Sequence, residues 1–107
     1  MTTLNLPSAN PPLEHFKALL RQTLPELRSR YGVQALWMFG SAVRGETHPG
    51  SDLDLLVEFD ERPLSLLKFV ELENRLSDLL GVRVDLVEKK MLKPAIGRRI
   101  LSEVVSV

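Results

Sequence analysis

The stretch Trp37-Met38-Phe39-Gly40-Ser41, followed after ten residues by Asp52-Leu53-Asp54-Leu55-Leu56-Val57, decides how the rest of this chain is read. One apolar run ends in a Gly-Ser pair, and a second restarts as Asp-x-Asp. That pattern predicts two short strands joined by a tight polar connection. Side chains alternate along a strand, so Asp52 and Asp54 project together while Leu53 and Leu55 face the other way. Two carboxylates held side by side repel each other, and a divalent cation relieves that repulsion. The Gly-Ser turn offers backbone N–H groups on which a phosphate can sit.

Working outward, Leu13, Phe16, Leu19, Leu20, Leu24 and Leu27 recur at helical spacing. They predict a helix ending near Tyr31-Gly32, with Pro25 kinking it or starting a second segment. Residues 1–12 are polar and proline-marked, and read as a flexible lead-in to a single domain over 13–107. Val33–Phe39 is apolar, bounded by glycines, and predicts a buried strand. Gly40–Glu46 reads as a tight turn and Thr47–Ser51 as a turn-rich loop. Asp52–Phe59 is the next strand, broken by Asp60-Glu61-Arg62-Pro63. Leu64 to Leu80 fits a helix closed by Gly81, and Val82–Val87 a strand with Arg83, Asp85 and Val87 on one face. A last helix is expected from Pro94 to Val104 or Val105. A helix between two strands implies a parallel crossover, and the short first connection an antiparallel pair. The fold class is therefore α/β: a small mixed sheet with flanking helices.

The composition narrows the function classes. The chain has 107 residues, 44% hydrophobic and 26% charged, with 14 basic and 14 acidic side chains. That is enough for one modest core. A net charge of zero argues against gripping nucleic acid by bulk electrostatics, so no direct nucleic-acid substrate is expected. There is no cysteine, which excludes disulfides, zinc-thiolate sites and thiol nucleophiles. No apolar run approaches the roughly 18 residues that span a bilayer, and no signal peptide is evident. No membrane association and a cytoplasmic location are the expectation.

A parallel crossover would bring Asp85 beside Asp52 and Asp54, converging three carboxylates from two strands. Such a set suits Mg²⁺, which keeps waters and takes one or two carboxylates plus substrate phosphate. Two such ions about 3.5–4 Å apart clamp the entering and leaving oxygens of an in-line displacement. Asp85 could also accept the proton of an attacking hydroxyl. Ser41 would bond the terminal phosphates, Gly40 lets the main chain approach, and Arg44 is placed to neutralise charge. Ser51, next to Asp52, is counted with them among the nucleotide-contacting positions. The leaving group would be pyrophosphate. Simpler roles stay open: Asp85 paired with Arg83 or Arg99, Arg44 exposed on a loop, Trp37 in the core, His48 at a loop tip and His15 on the surface. Glu88-Lys89-Lys90 reads as a charged strand exit, and Arg98 and Arg99 as a solvated helix face.

Gly40-Ser41, ten residues, Asp52-x-Asp54 and the later Asp85 resemble the signature of the DNA polymerase beta nucleotidyltransferase superfamily. The wording Phe39-Gly40-Ser41-Ala42-Val43-Arg44-Gly45 and Ser51-Asp52-Leu53-Asp54-Leu55-Leu56-Val57-Glu58-Phe59 is closer still to its minimal nucleotidyltransferases, called MNT proteins. The resemblance runs from the first helix to Ile100-Leu101-Ser102-Glu103. It implies that Asp52 and Asp54 bind Mg²⁺, that Gly40 and Ser41 hold the triphosphate, and that Asp85 is catalytic. Val43 departs from the alanine usual there, while the polar positions stand intact.

Larger relatives carry a second domain for the acceptor, and this chain has room for one more helix after the Asp85 strand. The acceptor is therefore expected from a partner or across an oligomer. MNT proteins are paired with a helical HEPN RNase in toxin–antitoxin systems. The resemblance implies an antitoxin that transfers AMP from ATP to a tyrosine of that toxin, in the manner of a type VII system. A small-molecule nucleotidyltransferase of the antibiotic-modifying kind, an antitoxin acting by binding alone and an RNA-end transferase remain as alternatives.

Overall fold

A computed structural model describes residues 11–40, 43, 52–61 and 64–107. The first helix, α1 (Pro11–Tyr31), starts two residues before the expected boundary. Proline is suited to a first turn, where its missing N–H would have had no partner. Leu13, Leu20, Leu27 and Tyr31 are buried from it. Pro25 does not divide the helix, contrary to expectation. Its own position is exposed, and so is Arg21, whose carbonyl loses its i+4 donor and can turn to water.

Three strands follow as the apolar runs predict, and a fourth is new. They are β1 (Val33–Phe39), β2 (Leu53–Phe59), β3 (Val84–Glu88) and β4 (Val105–Ser106), in sheet order β3-β2-β1-β4. β1 runs antiparallel to β2, and β2 parallel to β3. Leu53, Leu55, Val57 and Phe59 bury one face of β2. Opposite them, Val33, Leu36 and Met38 bury the same face of β1. Val33 and Leu36 are three apart, and a register shift between Val33 and Ala35 restores the phase.

Helix α2 (Leu66–Leu80) links β2 to β3. Ser65 caps it by accepting from the Lys68 N–H at 3.1 Å, and Gly81 ends it with φ of 70°. Leu72, Leu76 and Leu80 point from it into the core. At about 1.5–3 kcal/mol per fully buried side chain, this stripe contributes far more than the helix ends. β3 begins two residues later than expected, because Val82 and Arg83 turn the chain out of Gly81. Even so, the Leu53 N–H donates to the Arg83 carbonyl at 2.8 Å, so pairing starts at the foot of β2.

The C-terminal region corrects the sequence reading. After β3 comes a short 3₁₀ turn (Lys89–Met91), then α3 (Pro94–Leu101), which stops short of Val104. Val105 and Ser106 instead pair with Met38 and Trp37 of β1 as β4. A β-branched residue against an open strand edge gains more there than in a fraying last turn. β4 is antiparallel to β1 and hence parallel to β3. The crossovers β2–α2–β3 and β3–α3–β4 therefore traverse the sheet in opposite directions. Right-handed crossovers place α2 and α3 on opposite faces. In keeping with this, α1 and α2 supply the main core cluster, and among the described residues α3 adds nothing to it.

The two helices of the core face are tied at one end. Tyr31 Oη donates to Glu71 Oε2 at 2.7 Å, and Arg30 and Lys68 flank the same carboxylate at 3.6 and 3.8 Å. Burial, reinforced by the bond to Glu71, raises the Tyr31 pKa above its ordinary 10.0. The same bond lowers that of Glu71 below 4.5. The tyrosine contribution is therefore complete below pH 10 and is lost as pH climbs through the raised value. The glutamate contribution is present above pH 4.5 and is lost as pH falls through the lowered one. Tyr31→Phe is expected to cost about 1 kcal/mol at pH 7 and to flatten the alkaline loss of stability. Urea titrations from pH 4 to 11 check both; an unchanged midpoint at pH 7 contradicts the tie.

Candidate active site

The phase that buries Leu53, Leu55 and Val57 turns Asp54, Leu56 and Glu58 to the opposite face of β2. The parallel register sets Asp54 directly beside Asp85, and the antiparallel register sets it beside Phe39. Adjacent strands lie about 4.8 Å apart, so the two carboxylates leave the sheet as neighbours. Asp52 stands immediately before β2, two residues from Asp54 and thus on its side. Asp54 is half-buried, whereas Asp52 and Asp85 are exposed. Neither Arg83 nor Arg99 pairs with Asp85 among the described residues. Arg83 sits two residues earlier and is exposed.

Gly40 closes β1 at the same end of the sheet. Its φ of +82° is costly for any other L-residue. A second constraint is steric: a Cβ at position 40 would overlap Asp54 Oδ2 and lie 3.1 Å from Asp54 Cγ. The sequence assigned Gly40 to close approach of a phosphate; the structure shows that it also makes room for a carboxylate. The Val43 N–H donates to the Gly40 carbonyl at 3.1 Å and Val43 packs against the core, while the rest of the turn expected over Gly40–Glu46 lies outside the described residues. Its branched side chain thus serves the interior. Ser41, Arg44, Ser51 and His48 lie outside the described residues, so their placement stays a matter of sequence.

Among the described residues, no group of three His, Cys, Asp or Glu side chains converges on one metal position. The donor chemistry nonetheless suits a hard cation. Asp54 and Asp85 present oxygen from adjacent register positions, Asp52 follows at the rim, and exposure leaves room for water and phosphate ligands.

Further residues share this face, on which Leu56 is fully buried. Trp37 pairs with Leu56, is half-buried, and carries Lys89 Nζ 5.2 Å from its ring centroid. Lys89 also reaches Glu58 at 3.7 Å, so it anchors the exit of β3 rather than merely solvating it. His15 is exposed on α1, as expected. Two surface cavities, about 180 and 350 Å³, sit at the far end of β2 around Leu64, Phe69 and Glu88, and none of the three carboxylates lines them. The sequence reading missed Glu73 and Ser77 of α2, which bond the backbone of β3 beside Asp85. Their spacing of four, one place along from the Leu72–Leu76–Leu80 stripe, was the available signal.

The chain is similar to known proteins. Residues 20–107 fit the model of the nucleotidyltransferase domain. The protein adenylyltransferase MntA of Thermococcus cleftensis is 53% identical over 95 residues, covering 89% of this chain and 95% of that one. The chain belongs to the minimal nucleotidyltransferases. A solved structure described as a candidate member of that group superposes with a TM-score of 0.74 at 40% identity, over 89% of this chain and 95% of the other. The structure of a tri-AMPylated HEPN toxin with its MNT antitoxin, from Shewanella oneidensis, has the same fold. Its TM-score is 0.61 at 20% identity, over 85% of this chain and 70% of that one.

Gly40→Ala should therefore act twice in this minimal nucleotidyltransferase, through φ and through Asp54. The expected cost is about 1–2 kcal/mol of stability, with transfer falling more than folding alone explains. Gly97→Ala is the control: it lies in α3, and its nearest neighbour would be Leu92 Cβ at an ordinary 3.5 Å. Denaturation and initial rates of both variants decide; equal behaviour refutes the Asp54 contact.

Proposed function

We propose that this chain is a protein adenylyltransferase acting as an antitoxin, moving AMP from ATP to a tyrosine hydroxyl of a HEPN RNase. The observation that carries the reading is Asp54 set beside Asp85 across the β2–β3 pair, with Gly40 closing the same end. The 53% identity to a protein adenylyltransferase supports the same choice.

The roles follow from placement. Asp52 and Asp54 would hold Mg²⁺, with Asp85 completing a second position. Bound there, the metal would neutralise triphosphate charge and polarise the α-phosphorus. The turn after Gly40, with Ser41, would present N–H and hydroxyl donors to the β- and γ-phosphates, and Arg44 and Ser51 would assist. The tyrosine oxygen attacks the α-phosphorus, and its bond forms as the bond to the pyrophosphate oxygen breaks. The hydroxyl proton passes to Asp85, and pyrophosphate leaves with the electron pair. Asp85 is exposed, which lets a side chain from another protein reach it. A phosphate diester on the toxin adds charge and bulk where RNA must bind, and both oppose substrate entry.

Incubation with labelled ATP, Mg²⁺ and the product of the neighbouring gene, followed by intact-mass measurement, tests the reading. One or more AMP groups should appear on a tyrosine of the partner. Asp52→Asn with Asp54→Asn should abolish the gain by at least about 1,000-fold while the circular dichroism spectrum is retained. Transfer at the wild-type rate by that double variant would overturn the site. A modified small molecule with an unmodified protein would overturn the acceptor. Undiminished neutralisation by the double variant would make binding alone sufficient.

A further inference from the structure

β3 is the outer strand of the sheet, yet it carries Asp85. An edge strand has neighbours on one side only, and alternate amides point away from the sheet with no strand to receive them. In β3 the outward amides near the carboxylate are those of Val84 and Leu86. Both are taken up by α2. The Val84 N–H donates to Ser77 Oγ at 3.0 Å, and the Leu86 N–H donates to Glu73 Oε2 at 2.9 Å. Ser77 Oγ is oriented in turn by donating to the Glu73 carbonyl at 3.0 Å. The amides on either side of Asp85 are thus each bound by a side chain from the same helix, one turn apart.

We propose that Glu73 and Ser77 are positioning residues for Asp85, fixing the backbone of β3 so that its carboxylate stays in register with Asp54. This rests on the role given to Asp85 above. Transfer chemistry tolerates displacements well under about 1 Å at the reacting groups. The inner strand β2 meets that demand through neighbours on both sides. β3 has β2 on one side alone, and α2 supplies the missing restraint on the other. The two residues touch neither nucleotide nor metal in this scheme; they act through the strand. α2 is itself anchored by Leu72, Leu76 and Leu80, so the restraint is referred to the rigid core. A helix that held β3 merely to protect an edge could do so anywhere along it. Here both bonds fall on the two residues that flank the carboxylate.

The test compares Glu73→Ala, Glu73→Gln and Ser77→Ala in the full chain with Asp85→Asn. Glutamine retains an oxygen that accepts from the Leu86 amide, so it serves as the conservative rescue. Three readouts are taken: amide hydrogen exchange at Leu86 and Val84, Mn²⁺ affinity by paramagnetic resonance without nucleotide, and the kinetics of transfer. Glu73→Ala is expected to accelerate exchange at Leu86, weaken Mn²⁺ about ten-fold and lower kcat about ten-fold, with the KM for ATP changed less than about two-fold. Glu73→Gln should restore all three. Ser77→Ala should shift exchange at Val84 and Mn²⁺ affinity in the same direction, and it decides the matter if Glu73→Ala fails to fold. Faster exchange with unchanged Mn²⁺ affinity and kcat would overturn the proposal, leaving the bonds as edge protection. Wild-type transfer by Asp85→Asn would instead remove Asp85 from the site, and the positioning role with it.

Discussion

A one-residue slip of β2 would carry Asp54 into the leucine core and put Leu55 where the carboxylate stands. The side-chain period of a strand is two, so no intermediate register exists. Leu53, Leu55 and Val57 are all essentially inaccessible to solvent. Exchanging them for Asp54, Leu56 and Glu58 would bury two carboxylates without partners, at several kcal/mol each. The hydrophobic face therefore sets the polar one. Once that phase is chosen, the antiparallel register brings Gly40 to Asp54, and the parallel register brings Asp85. The site is the consequence of how the core packs on the other side of the sheet.

The crossovers extend this division of labour. α1 and α2 close one face, with Tyr31 and Glu71 joining them at one end and Arg75 and Glu26 bridging at 3.1 Å. The exposed ion pairs contribute little, on the order of 0–1 kcal/mol each, beside the buried leucines. The opposite face carries chemistry-bearing and aromatic groups together: Asp54, Asp85, Phe39, Trp37 and the Lys89–Glu58 pair. A right-handed connection would carry α3 over that side toward β4, and β4 meets β1 near the end where Gly40 turns. Packing on one face thus leaves the other to be shaped by function.

Much of this was legible because it depended on alternation and spacing. The strand β1 was bounded by Gly32 and Gly40, and α2 by a leucine stripe ended at Gly81; these are local signals. Parallel pairing of β2 with β3 followed from the intervening helix, and with it Asp85 beside Asp54. What escaped depended on partners distant in sequence. β4 is two residues whose strand character comes from the free edge of β1. Pro25 reads as a breaker in isolation, yet leucines at 20, 24 and 27 hold both sides of it to one core. Glu73 and Ser77 show only a spacing of four beside the leucine stripe, and that spacing does not say that two amides of an edge strand await them. The steric half of Gly40's role was hidden for the same reason: Asp54 is fourteen residues away.

Three carboxylates at one sheet end are a standing electrostatic cost, and its size depends on the surrounding medium. Two unit charges 4 Å apart repel by about 1 kcal/mol in water, but by about 4 kcal/mol at the effective dielectric of a partly covered surface. Asp52 and Asp85 are exposed, so water screens both of them in the uncovered domain. Any cover over that face lowers the local dielectric, which raises the repulsion among carboxylates and, by the same factor, their attraction for a cation. An open site of this kind is weak alone and strengthens when covered. The exposure of Asp52 and Asp85 thus leaves this end of the sheet sensitive to whatever comes to cover it.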